Sequence, residues 1–118
     1  MQRLMLKSKI HGAVITDKQL RYDGSITLDE NLLKAANMLP GEQVQVLNLN
    51  NGVRFVTYTI VAPSGSGIVM LNGPAARLGE VEDTVLVLSY GIYDDSEAGQ
   101  LDPIIVHVGA RNQPEKKD

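Results

Sequence analysis

Two runs of alternating apolar and polar residues, 43–49 and 53–62, flank the dipeptide Asn51-Gly52. Asparagine and glycine tolerate the left-handed backbone that a tight reversal demands, so the segment reads as a β-hairpin. Side chains alternate across a strand, which places Arg54, Val56, Tyr58 and Ile60 on one face of the return strand and Thr57 on the other. The rest of the chain must then supply partners for the two open edges of this hairpin. With 118 residues, one Phe, four Tyr and no Trp, it has to do so as one domain, residues 1–118, with a core of aliphatic side chains.

Further strands are legible on both sides. Residues 3–16 alternate, with Leu4, Leu6 and Ile10 on one face and Met5, Lys7, Lys9 and His11 on the other. Asp29 is placed to cap a short helix reaching about Leu39, which Pro40-Gly41 ends. Ile68–Leu71 reads as a strand, Asn72-Gly73-Pro74 as a turn, Ala75–Leu78 as one helical turn, and Thr84–Ile92 as the most apolar strand. After the acidic stretch at 94–97, Pro103 opens a last strand through Val108, and the tail 112–118 is polar enough to be disordered. A faint echo runs through this order: Ala35-Ala36 leads to Glu42, Val44 and Val46, as Ala75-Ala76 leads to Asp83, Val85 and Val87. The echo suggests a pseudo-twofold barrel.

Composition narrows the function. A formal net charge of −3 and the lack of a basic cluster argue against nucleic acid as a partner. Zero cysteines exclude disulfides and thiolate nucleophiles, and two widely separated histidines show no metal spacing, so no metal is expected. Arg3, Lys7 and Lys9 interrupt the apolar N-terminus and no run approaches spanning length, so the expectations are no membrane partner and a cytoplasmic location.

One dipeptide offers chemistry. In Tyr22-Asp23-Gly24-Ser25-Ile26-Thr27, the Ser25 hydroxyl could attack the Gly24 carbonyl to give an ester. β-Elimination would then break the chain, and hydrolysis of the dehydroalanine would leave a pyruvoyl group. Glycine permits the close approach and the strained angles this needs. The same dipeptide is also ordinary turn chemistry. A second Gly-Ser, in Pro63-Ser64-Gly65-Ser66-Gly67, lies among small residues and reads as a plain loop. A pyruvoyl ketone could form a Schiff base with a substrate amine and draw electrons from a breaking bond. Arg54 could hold a carboxylate and Tyr58 could deliver a proton, although arginine and tyrosine at this spacing are common on solvated strands. The same holds for Lys9 and His11.

Read together, Lys9-Ile10-His11, Tyr22-x-Gly24-Ser25, Asn51-Gly52-x-Arg54-Phe55-x-Thr57-Tyr58 and Asn72-Gly73-x-Ala75-Ala76 resemble the aspartate 1-decarboxylase family, from about Met5 to Val108. The resemblance implies a mainly β fold, a six-stranded double-psi β-barrel with short helices, assembled as a homotetramer whose subunits share their sites. It implies a proenzyme that cuts itself into residues 1–24 and 25–118 and turns L-aspartate into β-alanine and carbon dioxide for pantothenate and coenzyme A. By the same resemblance Ser25 becomes the pyruvoyl cofactor, Thr57 polarises the Gly24 carbonyl, Arg54 and Lys9 bind carboxylate, and Tyr58 is the proton donor. Gly73, Pro74 and Ala75 contact substrate, while His11, Tyr22, Asn72 and Ala76 line the pocket. Three positions depart from the pattern: Gly12 where a basic residue is common, Leu47 for an aromatic, and Pro74 for an alanine, which removes a backbone N–H. Alternatives are a pyruvoyl decarboxylase of another amino acid, or a non-enzymatic β-barrel interaction module. Whether maturation requires a partner protein stays open.

Overall fold

The computed structural model describes residues 1–115. Eight strands form: β1 (Gln2–Val14), β2 (Asp17–Gln19), β3 (Ser25–Asp29), β4 (Gln43–Asn48), β5 (Arg54–Ala62), β6 (Val69–Asn72), β7 (Thr84–Asp94) and β8 (Ile104–His107). Their order in the sheet is β2-β6-β3-β5-β4-β7-β1-β8. Only Ile15 and Thr16 separate β1 from β2, so they act as one bent strand that pairs antiparallel with β7 and then parallel with β6. The order therefore begins and ends on the same segment, and six strands close into a barrel with β8 added parallel to β1. Closure leaves no open edge among the six.

The expected hairpin is the other half of this pattern. β5 pairs antiparallel with β4 over Arg54–Tyr58 and parallel with β3 over Thr59–Ala62. That repeats what β1 and β2 do with β7 and β6. Helix α1 (Glu30–Ala35) leads into β4, and a 3-10 turn (Gly73–Arg77) leads into β7. Val46 and Val87, equivalent positions of the sequence echo, lie opposite each other in the β4–β7 ladder, as a pseudo-twofold axis between those strands requires. The two long strands that each change partner make this the expected mainly β, double-psi barrel with short helices. Among the described residues no helix is long and apolar enough to cross a membrane.

The aliphatic core contains Ile10, Ile15, Ile26, Leu28, Leu32, Val44, Val46, Leu71, Val85 and Val87, all buried. The simple alternation expected for 3–16 needs correction. Leu4, expected to share a face with Ile10, is 70% exposed while Ile10 is buried, because the start of β1 extends beyond the barrel beside β7 and α2 (Asp95–Ala98). Two bulges break the period, at Lys7 and at Gly12. The first frees Lys7 to donate to the Asn37 carbonyl at 2.7 Å and to Glu42 at 2.9 Å, and Glu42 also accepts from Ser89. The second shifts burial from Ile10 to Ala13 and Ile15, with Gly12 at a φ of 95°. A basic side chain at position 12 would be strained in this backbone.

β2 and α2 had no counterpart in the expected elements. The short pairing of β2 depends on a distant strand, and α2 has only four residues. The expected disordered tail is also corrected for its first part. Asn112 is buried, accepts from the Val14 N–H at 2.9 Å and donates to the Gly67 carbonyl at 2.9 Å. Residues 116–118 of that expectation lie outside the described residues.

Asp29 explains why residues that look unstructured are held. Its carboxylate caps α1 through the Asn31 N–H and accepts from the N–H groups of Gly65 and Gly67 and from Gln113 Nε2 at 2.8 Å. The second Gly-Ser loop is thus a clamp on a buried anion. Burial by itself raises the Asp29 pKa, but the bonds from Gln113, Gly67, Asn31 and Gly65 outweigh it and hold the carboxyl below its usual range. A depressed pKa contributes stability above the unfolded value of about 4, lost as pH falls through the folded one. Asp29→Ala should cost on the order of 3 kcal/mol in urea titration at pH 7, since it leaves several buried donors unpaired. The difference from the native chain should shrink as pH drops below about 4.

Candidate active site

Ser25 opens β3, a strand buried along its whole length. Its cross-strand partner in β6 is Asn72. Asn72 Nδ2 donates to Ser25 Oγ at 2.9 Å and to Thr27 Oγ1 at 2.8 Å. The Ser25 hydroxyl lies 3.3 Å from the Asp23 carbonyl, its acceptor. The serine is held from two sides inside the fold, unlike Ser64 and Ser66 of the surface loop, which are exposed. The sequence motifs assign Thr27 no role. The available signal was its spacing, two residues past Ser25 and hence on the same face of the strand.

Backbone crowding marks the dipeptide itself. Gly73 has a φ of 62°, and a Cβ there would lie 2.4 Å from the Tyr22 carbonyl oxygen and 2.8 Å from the Gly24 nitrogen. Only glycine lets the β6 exit pass so close beneath residues 22–24. The Pro74 ring packs on the other side, 3.3 Å from where a Gly24 Cβ would project. Gly24, Phe55, Thr57, Tyr58, Pro74 and Ala75 border one cleft of about 320 Å³, together with Val56 and Leu78. Gly24, Thr57, Tyr58, Pro74 and Ala75 were expected at the site. Phe55, Val56 and Leu78 were not, and no chemical signature distinguishes them in the sequence.

Other expected residues lie outside the lining of this cleft. Ala76 is buried on the 3-10 turn, and Tyr22 is exposed in the loop above it. Arg54 shares the outer face of β5 with Tyr58, as the alternation predicts, but it lies outside the cleft lining and donates to Gln45 Oε1 at 3.3 Å. Leu47 is its cross-strand neighbour. Lys9 and His11 lie where β1 pairs with β7 and β8. The His11 ring sits 5.8 Å from that of His107, and no hydrogen bond among the described residues links Lys9 or His11 to Ser25, Thr57 or Asn72.

Several large apolar side chains are exposed on β1, β5 and β7. Leu4, Val56 and Ile92 are 70%, 60% and 69% exposed, and Leu4, Val56 and Tyr90 line one shallow depression with residues of β4.

A family model described as aspartate decarboxylase matches residues 1–115. The chain is 53% identical to an aspartate 1-decarboxylase of Thermoanaerobacter pseudethanolicus, over 97% of each chain. It is 52% identical to one of Kosmotoga olearia, over 99% of this chain and 100% of the relative. It is 50% identical to one of Syntrophobacter fumaroxidans, over 97% and 92%. A rationally designed protein, mkDPBB_sym_86, aligns with 67% of this chain and 91% of its own at a TM-score of 0.49 and 15% identity.

Gly73→Ala should force residues 22–24 away from β6. The expected outcome is a loss of about 2–3 kcal/mol in thermal unfolding, the scale for strain at a left-handed position without space for a methyl group. Gly99→Ala, where a Cβ meets nothing within 4 Å, should be close to neutral in the same measurement.

Proposed function

The chain belongs to the aspartate decarboxylase family, and from that membership we propose that it cuts itself between Gly24 and Ser25 and then converts L-aspartate to β-alanine and carbon dioxide, supplying pantothenate and coenzyme A synthesis in the cytoplasm. The observation that carries the reading is the placement of Ser25: buried, bonded to Asn72, and joined to a Gly24 that borders a cleft with Thr57 and Tyr58. An isolated turn would have no need of that setting.

In the first reaction Ser25 Oγ adds to the Gly24 carbonyl while its proton passes to the Ser25 amide nitrogen, giving an ester. Thr57, beside Gly24 in the cleft, polarises that carbonyl. Loss of the Ser25 Cα proton breaks the Cβ–Oγ bond, and the electron pair leaves on what becomes the Gly24 carboxylate. The remaining enamine takes a proton at Cβ, adds water and releases ammonia. The residues present fit the pyruvoyl group so formed, because its carbons stay at the head of β3, where strand pairing with β6 fixes them. Once formed, the group supplies an electrophilic ketone that engages the substrate amine and withdraws electrons from the bond to the departing carboxylate.

The protein's own residues then bind and protonate. Tyr58 borders the cleft and donates the proton that replaces carbon dioxide. Arg54 offers a planar fork for carboxylate and Lys9 a second cation. Gly73, Pro74 and Ala75 shape the substrate wall, where Pro74 contributes its ring and no hydrogen bond. His11, Tyr22, Asn72 and Ala76 complete the lining. Lys9 and His11 are not among the residues that line the Gly24 cleft in one chain, and the reading includes a homotetramer in which a neighbour supplies them. The exposed Leu4, Val56 and Ile92 support that assembly.

Intact-mass analysis of the purified chain should give two species, residues 1–24 and residues 25–118 bearing a carbonyl-reactive terminus. Ser25→Ala should leave one uncut species and no β-alanine above background. A native chain that stayed whole and unreactive to carbonyl reagents after prolonged warming would refute the reading. Shared sites make a further prediction. Ser25→Ala and Lys9→Ala, each inactive alone, should recover a fraction of native activity when co-expressed, because some mixed sites contain both intact residues.

A further inference from the structure

Thr27 has no part in the reading above, yet it completes the polar setting of Ser25. An amide nitrogen carries two N–H groups, and Asn72 commits both, one to Ser25 Oγ at 2.9 Å and one to Thr27 Oγ1 at 2.8 Å. The three residues are buried at 0%, 0% and 7% exposure for Ser25, Asn72 and Thr27. Among the described residues Asn72 Oδ1 has no hydrogen-bond partner. The Ser25 hydroxyl directs its own O–H to the Asp23 carbonyl and so accepts from Asn72, and exchanging the two ends of the amide would also bury two unpaired N–H groups in place of one unpaired carbonyl, which together select the orientation that aims N–H at Ser25.

We infer that Thr27 is a positioning residue for self-cleavage, acting through Asn72. The inference rests on the self-processing reading. In the elimination step the Cβ–Oγ bond breaks and its electron pair arrives on the former Ser25 Oγ, now part of the Gly24 carboxylate. A donor already aimed at that oxygen stabilises charge where it develops, and it acts most on this step because the ester oxygen is uncharged beforehand. Thr27 holds the second N–H and thereby fixes the plane of the amide.

Thr27→Val keeps the shape and removes the hydroxyl; Thr27→Ser keeps the hydroxyl and removes the methyl. Cleavage followed by intact mass should slow roughly tenfold in Thr27→Val, the scale of one buried hydrogen bond, and Thr27→Ser should stay within about twofold of the native rate. Brief hydroxylamine treatment of uncut Thr27→Val should release residues 1–24 as a hydroxamate and residues 25–118 with an N-terminal serine, in a larger fraction than from the native chain, because the ester accumulates ahead of a slowed elimination. A packing role makes the opposite prediction, with Thr27→Ser the slower variant. The inference is overturned if the native chain cuts and Thr27→Val keeps pace with it, if Thr27→Ser is the slower of the two, or if no extra hydroxylamine-labile fraction forms. A native chain that never cuts and yields no hydroxamate removes the self-processing reading itself.

Discussion

Pairing of one N-terminal strand at both ends of the sheet is the constraint from which the rest of the architecture follows. β1 supplies an antiparallel partner to β7, and two residues later β2 supplies a parallel partner to β6. Without that double role β6 would have an open edge, and β3 would lose the support of the strand that holds it from outside. β5 repeats the arrangement with β4 and β3. Closure therefore comes from two bent strands related by a pseudo-twofold axis. Bulges at Lys7 and Gly12 let β1 follow the curvature while keeping Ile10, Ala13 and Ile15 in the core.

The site is a consequence of closure. Antiparallel pairing of β3 with β6 puts Ser25 opposite Asn72, and the chain leaves β6 through Gly73, directly beneath the backbone of residues 22–24. Parallel pairing of β3 with β5 brings Thr57 and Tyr58, just ahead of the paired segment, to the same cleft as Gly24. These contacts cross long loops, so their entropy is offset only by the burial of the strands that carry them. A serine fixed by such a framework has few orientations open to it, which favours the proposed intramolecular attack.

The two Gly-Ser dipeptides show how surroundings divide one local signal into different roles. Gly24-Ser25 enters a buried strand. Pro63–Gly67 instead lends backbone N–H groups to the Asp29 carboxylate, helping to dock the start of α1 and the segment around Gln113. The residues look alike, but only the first has its hydroxyl held by a buried amide.

Much of the local structure was determined by the sequence alone. Alternation and Asn51-Gly52 specify the β4–β5 hairpin, Asp29 specifies the start of α1, and the paired Ala-Ala motifs anticipate the pseudo-twofold axis, because these signals reside in neighbouring residues. Motifs in register also pointed to Gly24, Ser25, Thr57, Tyr58, Asn72 and Gly73, all of which lie around the Gly24-Ser25 bond. Tertiary structure decided what depends on distant partners. It left Leu4 exposed while burying Ile10 of the same expected face, formed β2, and held Asn112 and Gln113 against the barrel by side-chain hydrogen bonds. It also set Lys9 and His11 opposite Ile105 and His107 of β8 and made Thr27 the second anchor of Asn72. Periodicity tells which residues share a face of one strand, whereas which strands meet is set by closure of the barrel, and that information is spread over the whole chain.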